Sequence, residues 1–188
     1  MVELFQHTYR VSSTRVKWHD YDAGIYFVTI CTKERKHYFG EIDDCSGTDI
    51  DKSKMTFSQL GRYMYEILSD LQHYYSYADV PSFVVMPNHI HAIIIIDGDD
   101  TNNAADNISR INGGMTGKHN PMFSNCLGCV VRGLKARISK YAHDNMIPFS
   151  WQSRFHDHIV RNQDELNLIS DYIQNNVVKW SLDVFYND

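Results

Sequence analysis

The stretch Phe83–Asp97, reading FVVMPNHIHAIIIID, constrains this chain more than any other. Two apolar runs flank a Pro-Asn step, and a histidine pair, His89 and His91, follows it. Side chains alternate faces along a strand, so residues two apart project from one side. A strand over Asn88–Ile96 therefore points His89 and His91 the same way and sends Ile90 into the opposite layer. Ile93–Ile96 abandon alternation, as a strand covered on both faces does. Two imidazoles on a rigid central strand are a good start for a metal site. They are also compatible with polar residues on a partly exposed face, since a metal needs three or more ligands. What the rest of the chain supplies decides between these.

At 188 residues the chain is expected to form one domain over 1–188, large enough to bury a core without staples. Four cysteines (Cys31, Cys45, Cys126, Cys129) do not make a disulfide framework, and they fit a reducing, cytoplasmic setting. No apolar run approaches the roughly 18 residues of a membrane span, so no membrane partner is expected. The opening MVELFQHTYRVSS lacks the basic and apolar regions of a signal peptide. A formal charge of −5 argues against coating nucleic acid by charge alone. Its distribution is uneven: Cys126–Arg161 holds six basic residues (Arg132, Lys135, Arg137, Lys140, Arg154, Arg161) against two acidic ones, Asp144 and Asp157.

Residues 1–24 read as an irregular lead-in, and Ile25–Thr32, IYFVTICT, as the first strand. KERKHYFGEI continues into a turn or second strand, and Cys45–Asp51 is a polar loop. Leu60, Met64, Ile67, Leu68 and Leu71 fall at helical spacing, which predicts a helix over Ser58–Tyr74 with Ser58 near its N-cap. Residues 98–121 are polar and glycine-rich and predict a long mobile loop. A second helix is expected over Ser124–Asn145, a short strand over Phe155–Val160, and a last helix over Gln163–Lys179 capped by Asn162. The order β-β-α-β-α-β-α predicts an α+β sandwich, an antiparallel sheet covered by helices.

Several groups can carry chemistry. Tyr172 and Asn176 lie four apart on the last helix, hence on one face, and outside its Leu166/Ile169/Ile173/Val177 stripe. They could face the histidine pair, or be a rim aromatic and a helix-end amide. Cys126-Leu-Gly-Cys129 is a C-x-x-C without a second pair nearby, which removes four-sulfur zinc and favours buried helix thiols. His156 and His158 form a second H-x-H that could supplement a metal site or mark a phosphate-contacting edge. No glycine-rich phosphate loop, G-x-S-x-G or H-E-x-x-H is present, so nucleotide hydrolase, serine hydrolase and zincin chemistry have no support.

Four segments in order resemble the single-tyrosine HUH transposases, in particular the REP-associated tyrosine transposases of bacteria. They are YDAGIYFVTICTKERKHYFGEI (21–42), VVMPNHIHAIII, VVRGLKARISK (130–140) and WQSRFHDHIVRNQDELNLISDYIQNNVVKW (151–180). The resemblance implies a ferredoxin-like sandwich with the His-x-His strand central. It implies Tyr172 as the nucleophile and His89, His91 and Asn176 as ligands of Mg2+ or Mn2+. It further implies cleavage of single-stranded or hairpin DNA through a 5′-phosphotyrosine and strand rejoining. Asn176-Val177 stands where many relatives read Asn-Pro, a departure expected to affect the helix end. Arg132, Lys135, Arg137, Lys140, Arg154 and Arg161 would hold the DNA backbone, with Trp151 and Phe155 stacking on unpaired bases. Two other readings stand beside this one: a domesticated, non-cleaving hairpin binder, and an unrelated metalloenzyme using His89, His91 and His156 or His158. The sequence leaves monomer or homodimer open.

Overall fold

A computed structural model of the protein describes residues 23–43, 53–97 and 125–186, with the short backbone pairs 4–5 and 8–9. The expected loop at 98–121 and the polar segment 45–51 lie outside the described residues. Within the lead-in expected to be irregular, β1 (Leu4–Phe5) and β2 (Thr8–Tyr9) pair as a small antiparallel ribbon. Next come β3 (Gly24–Cys31), β4 (Gly40–Asp43), β5 (Lys54–Phe57), α1 (Gln59–Ser69) and α2 (Leu71–Tyr74). The chain continues through β6 (Ala78–Val85), β7 (His89–Ile96), α3 (Leu127–Asp144), β8 (His156–Val160) and α4 (Gln163–Asn175).

Strands β6-β7-β3-β8 form one sheet in that spatial order, each neighbour antiparallel to the next. In chain order this is β3-α1-β6-β7-α3-β8, the ferredoxin-like β-α-β-β-α-β pattern. β4 and β5 make a separate two-stranded ribbon.

The register sorts the side chains into two layers. Tyr26, Val28 and Ile30 of β3 and Ile90, Ala92, Ile94 and Ile96 of β7 join the main core, with Leu60, Met64 and Ile67 of α1 and Leu127, Val130, Leu134 and Ile138 of α3. The intervening residues Phe27, Thr29, His89, His91 and Ile93 face the other way, where α4 packs on β6 and β7. Each fully buried isoleucine contributes about 1.5–3 kcal/mol. A one-residue slip of β7 would drive both imidazoles into the apolar layer and lift Ile90 out of it, so packing fixes the register.

Several boundaries differ from those the sequence predicts. Ser58 does cap α1, accepting from the Gly61 N–H at 3.0 Å, but the helix breaks at Asp70 (φ −124, ψ 38) before the short α2. The apolar run before Pro87 is a full strand, β6, paired with β7; the order expected from sequence omits it and β5. β6 is the sheet edge and its pairing shifts between Asp79 and Ser82, which is how it accommodates Pro81. α4 ends at Asn175 rather than Lys179, and Ile173 is its one fully buried residue. The β-branched pair Val177-Val178 follows the C-cap Asn176, and the chain turns so that Trp180 is buried.

Candidate metal and tyrosine site

The turn joining β6 to β7 presents its side chains at the start of the central strand. Asn88 is fully buried, and its amide Nδ2 donates to the Phe185 carbonyl at 2.8 Å. Its Oδ1 lies 2.8 Å from His89 Nδ1. An amide oxygen only accepts, so the His89 proton sits on Nδ1 and the lone pair on Nε2. One pleat along, His91 faces Thr29 of β3, its strand partner. The Thr29 Oγ1 lies 2.8 Å from His91 Nδ1, and the Phe27 ring stacks on the imidazole at 5.2 Å. Both imidazoles are thus oriented from behind, with Nε2 turned toward α4 and the C-terminal segment.

That segment brings in a residue which sequence reasoning missed. Asp183 Oδ2 stands 3.9 Å from His89 Nε2, and His89, His91 and Asp183 offer ligand atoms within 4.8 Å of one another. Among the described residues, three buried side-chain atoms lack any hydrogen-bond partner: His89 Nε2, Asn176 Oδ1 and Asp183 Oδ2. The short His89–Asp183 distance has the form of an ion pair, but burial, then the neighbouring His91 and Arg35, push the His89 imidazole down to about 2. His91 is pushed down to about 3, by burial first and then by His156. The imidazoles are therefore neutral at physiological pH, and the acceptors His89 Nε2 and Asp183 Oδ2 stand 3.9 Å apart with no donor to either. Buried unsatisfied groups are costly, and a cation is what such a donor set fits. Asp183 is held by its surroundings: Arg35 Nη1 donates to the Val184 carbonyl at 3.0 Å and lies over the Phe185 ring at 4.4 Å. Phe185 in turn packs against His89, ring centres 4.6 Å apart and tilted by 37°.

Tyr172 projects from α4, whose start is capped by Asn162 accepting from the Glu165 N–H at 2.9 Å. Its hydroxyl reaches His91 Nε2 at 3.1 Å, while the residue stays 42% exposed. Burial of the phenol, and then Asp183, raise its pKa above the usual 10, and a hydrogen bond with Asn176 opposes them. Asn176 is one turn further along, 3% exposed. The four residues predicted for chemistry, Tyr172, His89, His91 and Asn176, are thus brought together within one chain, and Asp183 joins them.

The predicted DNA-contacting residues divide. Arg132, Lys135, Arg137 and Lys140 lie on α3, across the sheet from the tyrosine. Lys135 is committed to the fold, donating to the Gln152 and Arg154 carbonyls at 2.7 and 3.0 Å, with its ammonium 5.6 Å from the Trp151 ring centre. Arg137 lies over Tyr74 at 4.0 Å, and Lys140 pairs with Asp144 at 2.7 Å in solvent. Trp151 donates to the Lys135 carbonyl at 3.1 Å and packs with Phe39 and Phe149. Arg154 precedes β8 and Arg161 follows it, both exposed. His156 and His158 pair in register with Thr29 and Phe27, so they share the site face, but His158 Nε2 meets Glu165 Oε1 at 2.7 Å. Neither belongs to the three-residue metal group.

Comparison with known proteins agrees with this architecture. No family model matches the chain. An uncharacterised protein of Haemophilus influenzae is 30% identical over 186 residues, covering 94% of this chain and 93% of that one. Among solved structures, a REP-associated tyrosine transposase bound to a REP hairpin aligns with a TM-score of 0.53 at 17% identity, over 92% of this chain and 76% of the other. A transposase-like protein of Deinococcus radiodurans reaches only 0.37, below the level at which a shared fold can be claimed. Among the described residues, no helix is long and apolar enough to cross a membrane.

Proposed function

Because the chain belongs to one family with the Haemophilus influenzae protein and shares the fold of a hairpin-bound tyrosine transposase, we propose that it is a transposase-type DNA nuclease and strand transferase. Its substrate is hairpin-containing single-stranded DNA, its nucleophile Tyr172 and its compartment the cytoplasm. The observation that carries this reading is the Tyr172 hydroxyl at 3.1 Å from His91 Nε2, beside three buried acceptors without a donor. His89, His91, Asn176 and Asp183 would hold a divalent ion. Two imidazoles with an amide and a carboxylate suit Mg2+ or Mn2+ where a phosphate completes the set. Bound there, the ion supplies Lewis-acid polarisation of a DNA phosphate.

The protein's own groups do the rest. The rigid strand and the hydrogen bonds that the two imidazoles make through Nδ1 to Asn88 and Thr29 hold the Nε2 lone pairs in place, so no reorganisation is needed when substrate arrives. Tyr172, part-exposed on one side and oriented through its hydroxyl on the other, attacks the phosphorus in line. A phosphotyrosine bond to the 5′ end forms, and the 3′-hydroxyl leaves with a proton. The phenol proton must be removed during attack, because burial and Asp183 keep it bound in the resting site. The tyrosyl ester keeps the phosphodiester energy, so a 3′-hydroxyl can reverse the step and rejoin strands without ATP. Arg154 and Arg161, at either end of β8 on the sheet that carries the site, are the residues we assign to backbone contact nearest the tyrosine. With nucleophile and ligands on one chain, a monomer suffices for cleavage.

The test is incubation with labelled hairpin single strands and Mg2+ or Mn2+, resolved on a denaturing gel. A covalent band is expected with the wild-type protein, absent in Tyr172→Phe and in the His89→Ala/His91→Ala double variant. An adduct that persists in Tyr172→Phe overturns the assignment. Tight hairpin binding with no adduct in any condition identifies a non-cleaving binder instead.

A further inference from the structure

At the start of α3 two sulfurs stand 3.1 Å apart, Cys126 Sγ and Cys129 Sγ, and neither belongs to the site above. The sequence favours buried helix thiols for this C-x-x-C, but both residues are only half-buried. By contrast Cys31 lies in the core, 8% exposed. Cys126 occupies the N-cap position in an extended conformation (φ −131, ψ 157), and its side chain makes no capping bond. Cys129 sits in the first helical turn, where its N–H donates to the Cys126 carbonyl at 2.9 Å. The turn thereby folds one thiol over the other. From the same helix, Arg132 Nη2 donates to Cys129 Sγ at 3.5 Å. These are the surroundings that make a thiol reactive: a partner sulfur within reach, a helix N-terminus, a guanidinium and partial exposure. They also act on the protons. The hydrogen bond from Cys126, with Arg132 adding to it, draws the Cys129 thiol down to about 6, while the same bond holds the Cys126 proton more tightly.

We propose that Cys126 and Cys129 are a reversible dithiol–disulfide site whose oxidant is a low-molecular-weight disulfide. The Cys129 thiolate attacks one sulfur of the small disulfide, forming a mixed disulfide and expelling one thiolate, which takes up a proton. Cys126 then loses its proton to solvent and attacks the Cys129 sulfur, expelling the second thiolate. Two protein thiols are oxidised and one small disulfide is reduced to two thiols. The sulfurs need to close only from 3.1 Å to the bonded distance of about 2.05 Å, within one helical turn. Forming the bond removes the anion that Arg132 faces on the basic helix. The pair neighbours Tyr77, whose ionisation it disfavours, and the Tyr77 carbonyl accepts from the Asp97 N–H just past Ile96. It therefore lies at the end of β7 away from His89, roughly 23 Å along the strand. Its chemistry can be read without DNA cleavage.

The experiment equilibrates the full-length protein with mixtures of oxidised and reduced glutathione, quenches by alkylation, and maps peptides by mass spectrometry. A Cys126–Cys129 cross-link is expected, reversed on adding dithiothreitol. In Cys126→Ser the reaction stops at the mixed disulfide, with glutathione on Cys129. Absence of the cross-link at ratios that oxidise an ordinary dithiol overturns the proposal, and so does trapping of glutathione on Cys126 in Cys129→Ser but not on Cys129 in Cys126→Ser. The wild-type map decides the first point whether or not the serine variants fold.

Discussion

Replacing Asp183 by asparagine should change the metal-free and metal-bound protein in opposite directions. In the absence of metal, His89 Nε2 and Asp183 Oδ2 are buried acceptors 3.9 Å apart with no donor between them. An unsatisfied buried polar group costs about 1–3 kcal/mol. Asp183→Asn keeps the shape, removes one acceptor and places an amide N–H where it can donate to the other. Stabilisation of about 2 kcal/mol follows, and in a chain of this length roughly 2–4 °C accompanies each kcal/mol, so the melting temperature in chelator should rise by about 4–8 °C. Metal reverses the order. A ligand at a hundred times its Kd stabilises the native state by about 2.7 kcal/mol, or about 5–11 °C on the same scale. The wild type should show that rise with saturating Mn2+, and the variant, lacking the anionic donor, a much smaller one. Thermal melts by circular dichroism in EDTA and in a Mn2+ series decide the matter. A variant less stable than wild type in EDTA, with an undiminished response to Mn2+, would refute the reasoning from orphaned acceptors.

Thr29→Val deletes the hydroxyl behind His91 Nδ1 without changing the strand, and should weaken Mn2+ binding by about 10-fold or more in calorimetry; unchanged affinity would mean His91 needs no such orientation. The depressed imidazoles also set a pH dependence. In the unfolded chain these groups bind protons near pH 6.5, whereas in the native protein they stay neutral down to about 2 and 3. The unfolded state thus gains protons first, and their contribution, complete above pH 6.5, is lost as pH falls, by about 1.4 kcal/mol per unit for each histidine. Urea unfolding in EDTA should lose roughly 3 kcal/mol between pH 6.5 and 5 from the pair, and His91→Gln should halve that slope; equal slopes would sink the idea. Lys135→Met, which removes two hydrogen bonds to carbonyls, should lower the melting temperature and leave the salt dependence of DNA binding intact. Arg161→Ala should instead reduce that salt slope by about one with little change in melting temperature, and the opposite pattern would return Lys135 to the DNA surface.

What could be read in advance follows from how locally each feature is encoded. The two-residue alternation of β7 fixes both the common direction of His89 and His91 and the opposite direction of Ile90, and the four-residue step puts Tyr172 and Asn176 together on one helix. Those are backbone periodicities, so each pair is legible by itself; that the two pairs share one site is implied by the resemblance to the transposases and not by spacing. β6 was not legible, because an edge strand with a pairing shift at Pro81 carries no clean alternation. Which face α3 would cover was equally hidden. Its basic residues are conspicuous in sequence, but the sheet connections place that helix on the core side with α1, away from Tyr172. Asp183 was the hardest case. It follows the helix by several residues and belongs to no repeat, and its position depends on contacts made elsewhere. Asn88 binds the Phe185 carbonyl 97 residues away, and Arg35 binds the Val184 carbonyl 149 residues away. Long-range anchors of this kind determine whether a carboxylate reaches a metal. In such a site the buried atoms left without partners identify the missing ligand, since only in three dimensions do His89 Nε2 and Asp183 Oδ2, 3.9 Å apart, present unanswered lone pairs to the same space.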